Sequence, residues 1–170
     1  MMADDLQDAH LLLTPERLRA ANIHPETRLA TDYLNHFNEV IMLLELVPSM
    51  PDCMDDVIGW TPLSYEQHFL RSSYRDKELV LTAYQHAPAA VLRRLHAVID
   101  EMDLLMTTAI EGLKTVGPGP EAAIIAEEAG FLLKPLAAQA VGVMNAVIDE
   151  DENLAAPASA QDTIDALMTR

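Results

Sequence analysis

Apolar residues recur along this chain at intervals of three and four, the spacing that gathers them on one face of an α-helix. Over residues 25–47 the row Leu29, Phe37, Val40, Ile41, Leu44 and Val47 keeps that interval. Pro48 ends it, because proline has no amide to give to the preceding turn. Over residues 88–117 the row Val91, Leu95, Val98, Met102, Leu105, Met106, Ala109 and Leu113 holds the same period as far as Gly117. No stretch alternates with period two for long enough to predict a strand.

Helix starts are marked as clearly as the faces. Thr14 followed by Pro15 is a cap with a proline in the first turn, predicting a short helix over 15–21, and His24-Pro25 opens the next. Residues 48–62 hold three prolines and the acids Asp52, Asp55 and Asp56, a connection with room for one helical turn. Ser64 and Gln67 fit a capping box that opens a helix over 64–86, either continuous or broken near Ser72-Ser73 and restarted at Ser73 and Asp76. Gly117-Pro118-Gly119-Pro120 is a loop, and Pro120 seeds a helix over 120–148, kinked at Pro135 and ending at the acids of 149–152. A joint at 155–159 precedes a last short helix over 161–168. The prediction is an all-α protein, an up-down-up-down four-helix bundle with short extra helices at both termini. It divides into an N-terminal extension (1–24), a bundle domain (25–154) and a linker with a C-terminal helix (155–170).

The helix over 120–148 differs from the others in being apolar on most sides. Ile124, Ile125, Phe131, Leu132, Leu136, Val141 and Val147 point nearly all round it, leaving a narrow polar stripe through Glu127, Lys134 and Asn145. Such a helix needs cover on most sides, so it is either central in the monomer or an interface with a second chain. A membrane span is the weaker reading of the apolar stretch 129–148, because Lys134, Pro135, Gln139 and Asn145 interrupt it.

Composition narrows the class of partner. The chain has 170 residues, half of them apolar, enough for one core. Its lone Cys53 can close no internal disulfide. The first residues carry acids where a secretory signal carries Lys or Arg, which predicts a cytoplasmic protein. Eleven basic residues against twenty-seven acidic ones give a net charge of -16, and that field repels phosphate backbones and anionic lipid. Neither nucleic acid nor a membrane is expected as a partner.

Candidate chemistry lies at the borders of two apolar faces. Asp32, His36 and Glu39 stand at i, i+4 and i+7, and His96, Asp100 and Asp103 repeat the spacing. Imidazole and carboxylate facing each other across two helices is how bundle cores build hard-metal or zinc sites. The competing reading is a solvated border, since a His with acids one and two turns away arises by chance in so acidic a chain. Cys53 sits in an acidic loop that opposes thiolate formation, and the glycines at 117 and 119 alternate with prolines that have no amides for a phosphate.

His68 is a third candidate. The run from Trp60 through the capped start at Ser64 to His68 resembles the second-helix signature of the DinB-like family of metal-binding four-helix bundles. That resemblance implies a bundle that commonly dimerises and His68 as a metal ligand. The chain departs from the family's usual pair of His four apart on a late helix: the 120–148 helix has no His, and the preceding one offers only His96 with Asp100.

Two functions are therefore expected. The first is a non-catalytic helical interaction or regulatory protein, a homo-oligomer formed through the helix 120–148. The alternative is a metal-binding, DinB-like bundle, with or without catalysis, holding a divalent metal on some of His36, Glu39, His68, His96 and Asp100.

Overall fold

The computed structural model describes residues 2–146, all of whose regular elements are helical. The helices are α1 (Met2–Leu12), α2 (Pro15–Ala20), α3 (Asn35–Leu46), α4 (Cys53–Ile58), α5 (Tyr65–Arg71), α6 (Lys77–Gln85), α7 (Ala89–Val116) and α8 (Pro120–Met144), with a 3-10 turn at Thr31–Leu34 before α3. The joint at 155–159, the helix expected over 161–168 and the end of the helix expected at 148 lie outside the described residues.

Starts legible from caps and prolines form as expected. Thr14 Oγ1 accepts from the Arg17 amide at the head of α2, and both hydrogen bonds of the Ser64–Gln67 capping box are made at the head of α5. The long pair α7 and α8 is joined by residues 117–119, where Gly117 (φ 68°) and Gly119 (φ 148°) hold backbone conformations that side-chain-bearing residues rarely adopt. So short a link folds the two helices into an antiparallel hairpin. Against it lie α3, packed on α8, and α4, packed on α3 and α7.

One expectation changes. The helix predicted from Pro25 begins only at Asn35, because Pro25–Leu29 is a closed loop. His24 Nδ1 accepts from the amides of Glu26 and Thr27, the Arg28 amide returns to the His24 carbonyl, and the His24 amide donates to Leu29. Arg28 sits at φ 61°, left-handed, held there while Nη1 donates to the His86 carbonyl at 2.7 Å. Of the two readings of residues 64–86 the structure takes the broken one: Ser72 is extended, its Oγ accepts from the Tyr74 amide, and α6 restarts at Lys77 after Asp76. The helix over Met2–Leu12 had no counterpart in the reading of the sequence.

The core runs between the hairpin, α3 and the irregular segment before it. Tyr33, Phe37, Leu44, Phe69, Leu95, Met102, Met106 and Leu113 are among its fully buried side chains. The face of α8 turned toward it is small: of its nine buried residues, Ala122, Ala126, Ala129, Gly130, Ala137 and Ala140 have no side chain beyond Cβ. A Cβ built on Gly130 would sit 3.9 Å from that of Leu44, so α3 rides close to the backbone of α8. None of the helices among the described residues is long and apolar enough to cross a membrane.

The irregular segment is fastened by side chains distant in sequence. Tyr65 OH accepts from the Ala30 amide at 2.8 Å, Tyr33 OH donates to the Leu63 carbonyl at 2.7 Å, and Tyr74 OH donates to the Ala21 carbonyl. Thr27, fully buried, donates from Oγ1 to the Met144 carbonyl at 2.5 Å and so ties this loop to the last turn of α8. Thr27→Val keeps the shape and removes the donor. It should lower unfolding stability by about 1–2 kcal/mol in urea titrations with an unchanged slope; an unchanged midpoint would show that the tie carries no net stability.

Candidate functional site

The chemistry-bearing side chains gather on either side of Tyr33. On one side α3, the connection after α4, and α5 meet. Trp60 stacks on His36 with ring centroids 4.7 Å apart and planes 21° from parallel, and its Nε1 donates to the His36 carbonyl at 3.1 Å. His36 Nε2 lies 2.6 Å from the Thr61 carbonyl, which only accepts, so this nitrogen carries the ring proton. Burial holds the His36 pKa below the usual histidine value; the Thr61 carbonyl opposes this, His68 and Arg71 add to it, and Glu39 favours the charged form.

His68 is largely enclosed. Its Nε2 meets Asp32 Oδ2 at 3.1 Å, its ring stands edge-on to Tyr33 and Phe69, and the other Asp32 oxygen accepts from Asn35 Nδ2. Glu39 is exposed on α3. Trp60 and His68 thus dock the connection and α5 onto the start of α3.

On the other side α7 presents the second row. His96 and Asp100 are exposed, and His96 Nε2 shares a 2.9 Å hydrogen bond with the hydroxyl of Tyr84 on α6. Together with Asp103 they line a cavity of about 280 Å³, closed by Tyr33, Tyr65 and Tyr84, by Pro62 to Ser64 with Gln67, and by Leu95 and Ile99. None of these lining residues is Lys or Arg. Asp103 Oδ1 is the buried side-chain polar atom among the described residues that has no hydrogen-bond partner. Burial first, and then the neighbouring Asp100 carboxylate, push the Asp103 pKa up to about 6. Burial, with those same carboxylates, raises Tyr33 as well.

The structure therefore brings His36 and His68 into one neighbourhood, and His96 and Asp100 into another. Each of the three histidines has its own partner: Thr61, Asp32 and Tyr84. Among the described residues no group of three or more His, Cys, Asp or Glu side chains is arranged to hold a metal ion. Of the cavity wall, the spacing of His96, Asp100 and Asp103 was visible in the sequence. Tyr33 and Tyr84 were not, because nothing local distinguishes a tyrosine that lines a cavity from one that fills a core.

No protein-family model, curated protein or solved structure matches the chain. The resemblance of Trp60 to His68 to the DinB-like family thus rests on those residues alone.

Asp103 yields a pH signature. A carboxyl whose folded pKa is about 6 against 3.8 for the free group binds its proton more tightly in the folded chain. Its contribution costs stability progressively as pH rises through that window, and nothing further above it. Asp103→Asn should therefore gain in melting temperature relative to the parent between about pH 4 and pH 6, with the difference levelling off above. A difference that is flat across that range would mean that Asp103 titrates as an ordinary surface acid.

Proposed function

We propose that this chain is a non-catalytic helical interaction protein that pairs with a second copy of itself through the outer face of the α7–α8 hairpin. In this reading α3, the broken rod α5–α6, α7 and α8 are the four rods of a bundle. The observation that carries the reading is the inversion of α8: mostly alanines and a glycine face the core, with Leu133, Val143 and Met144, while Ile124, Phe131 and Leu132 stand in solvent. Phe131 is 78% exposed and Ile124 62%, and the two lie seven residues apart, hence on one line along the helix.

Beside that line runs an apolar groove of about 410 Å³ between α7 and α8, lined by Leu105, Ala109, Gly112, Ile125, Ala129 and Leu132, with Thr108 and Glu128 at its edges. Gly112 makes room there, since a Cβ on it would come within 3.3 Å of Ile125 Cδ1. Leu104, 68% exposed, extends the apolar surface on α7. A face that carries both a projecting ridge and a groove is self-complementary, which is what a two-fold pair requires. Apolar surface of this extent, edged by polar residues, marks an interaction site more often than a solvated face.

The net charge of -16 bears on the kind of partner. It argues against nucleic acid and anionic membranes, and it makes two copies repel at long range. Association driven by apolar burial against that repulsion strengthens with salt, whereas docking to a basic protein weakens. Of the residues of the alternative reading, His36, His68 and His96 are engaged as described above while Glu39 and Asp100 are exposed, and no observation favours a metal-binding bundle over this one.

Sedimentation equilibrium across the micromolar range should show a dimer that tightens as sodium chloride is raised. Phe131→Glu removes a buried phenyl worth about 2–3 kcal/mol, twice in a two-fold pair, so dissociation should strengthen at least about a hundredfold while the helical dichroism stays unchanged. A monomer at every salt concentration, or a dimer indifferent to Phe131→Glu, would remove this function.

A further inference from the structure

Protonation acts differently on the histidines of this chain. His36, His68 and His86 each set a ring nitrogen against an oxygen that only accepts, the Thr61 carbonyl, the Asp32 carboxylate and the Thr82 carbonyl. His96 meets the Tyr84 hydroxyl, which can accept or donate. A second ring proton leaves every one of those bonds possible. His24 is the exception. Its Nδ1 accepts from the amides of Glu26 at 3.3 Å and Thr27 at 3.2 Å, and an amide only donates. Nδ1 is therefore bare, and the ring proton sits on Nε2.

A side chain that turns back onto amides two and three positions later usually belongs to Asn, Asp, Ser or Thr, whose oxygen keeps a lone pair in mildly acidic water. Here the place is filled by histidine, the side chain whose charge changes between about pH 5 and pH 8. An imidazolium has no acceptor left, so turning the ring over restores nothing. Two amides then face an N–H, and the backbone has to move away from the ring.

What the ring holds closed is the loop of residues 25–29. The Arg28 amide donates to the His24 carbonyl at 2.8 Å, and the His24 amide donates to the Leu29 carbonyl at 2.9 Å. From this loop buried Thr27 reaches the Met144 carbonyl in the last turn of α8, and Arg28 Nη1 reaches the His86 carbonyl at the end of α6. Arg28 is held at φ 61°, a left-handed conformation that a side-chain-bearing residue keeps only where its surroundings enforce it. The charged groups lining the cavity beside the ring are Arg19 of α2 and Glu26, one of each sign, and the end of α8 adds the neutral Asn145. The titratable groups that reach the segment from other elements are Tyr74, on the Ala21 carbonyl, Tyr65, on the Ala30 amide, and His86.

We propose that His24 is a pH-operated latch: with Nδ1 bare it closes residues 25–29 onto the ends of α6 and α8, and a proton on Nδ1 releases that loop while the helices stay folded. The latch uses none of the pairing face, so either reading can fail without the other.

Amide hydrogen exchange on the full chain tests it, read by NMR as protection factors so that the intrinsic effect of pH divides out. Between about pH 7.5 and about pH 5.5 the protection of the Thr27 and Arg28 amides should fall at least about fivefold, the loss that one ordinary hydrogen bond accounts for. Amides in the middle of α7, such as those of Met102 and Met106, should hold their protection. His24→Asn puts Oδ1, an acceptor that does not titrate, where Nδ1 lies, and its loop should stay protected at both pH values. His24→Phe has no acceptor and should leave the loop as open at the higher pH as the parent is at the lower. If His24→Phe does not fold, the comparison of the parent with His24→Asn decides alone. His36 and Asp103 are present in both of those chains, so their titration cancels in that comparison. Unchanged protection in the parent, or a fall in His24→Asn as large as the parent's, would overturn the proposal.

Discussion

The closeness with which α8 lies against the rest of the chain is the constraint on which the other features depend. An alanine and glycine face lets α3 lie close to its backbone, a Cβ on Gly130 meeting that of Leu44 at 3.9 Å. A helix packed that way makes many dispersion contacts through backbone and Cβ atoms while burying little side-chain area of its own. Apart from Leu133, Val143 and Met144, the apolar bulk that α8 carries therefore has no place inside. Phe131, Ile124 and Leu132 are outside because the inner face is already filled, and their exposure is the other side of the same packing choice.

That choice also explains why the 120–148 segment was ambiguous as sequence. A helix apolar all round was compatible with a central position and with an interface, and hydrophobicity alone does not separate them. Side-chain size does: Ala122, Ala126, Ala129, Ala137 and Ala140 keep helical spacing on one face with Leu133 and Met144, and Ile124, Phe131 and Leu132 fall on the others. The starts of α2, α5, α7 and α8 were equally legible, because each depends on a proline or a cap within four residues of it. The stretch from His24 to Leu34 was not. Its conformation follows from hydrogen bonds to Tyr65, Leu63, His86 and Met144, partners that no local pattern reveals.

The candidate site divides the same way. Spacing alone put His96, Asp100 and Asp103 on one face of α7, and the structure keeps them together on the cavity wall. Spacing also grouped Asp32, His36 and Glu39, and that group dissolves because Asp32 lies in the 3-10 turn and turns to His68, while His36 is taken up by Thr61 and Trp60. A row of polar residues predicts a shared face only while the helix is continuous. The pattern over 25–47 gave no sign that the helix begins at Asn35.

Helix α7 connects the cavity wall and the proposed pairing face and keeps them apart. At about 100° per residue, His96, Asp100 and Asp103 lie roughly 180° round the helix from Leu105 and Gly112, which line the groove. Between the two faces, Leu95, Met102, Met106 and Leu113 are fixed in the core, so the helix has little freedom to turn one face without breaking its packing. A charge change in the cavity then reaches the pairing face only through the long-range field, which salt screens within about 10 Å. Substitutions on the two faces should consequently add independently, since residues without shared partners rarely couple by more than a few tenths of a kcal/mol.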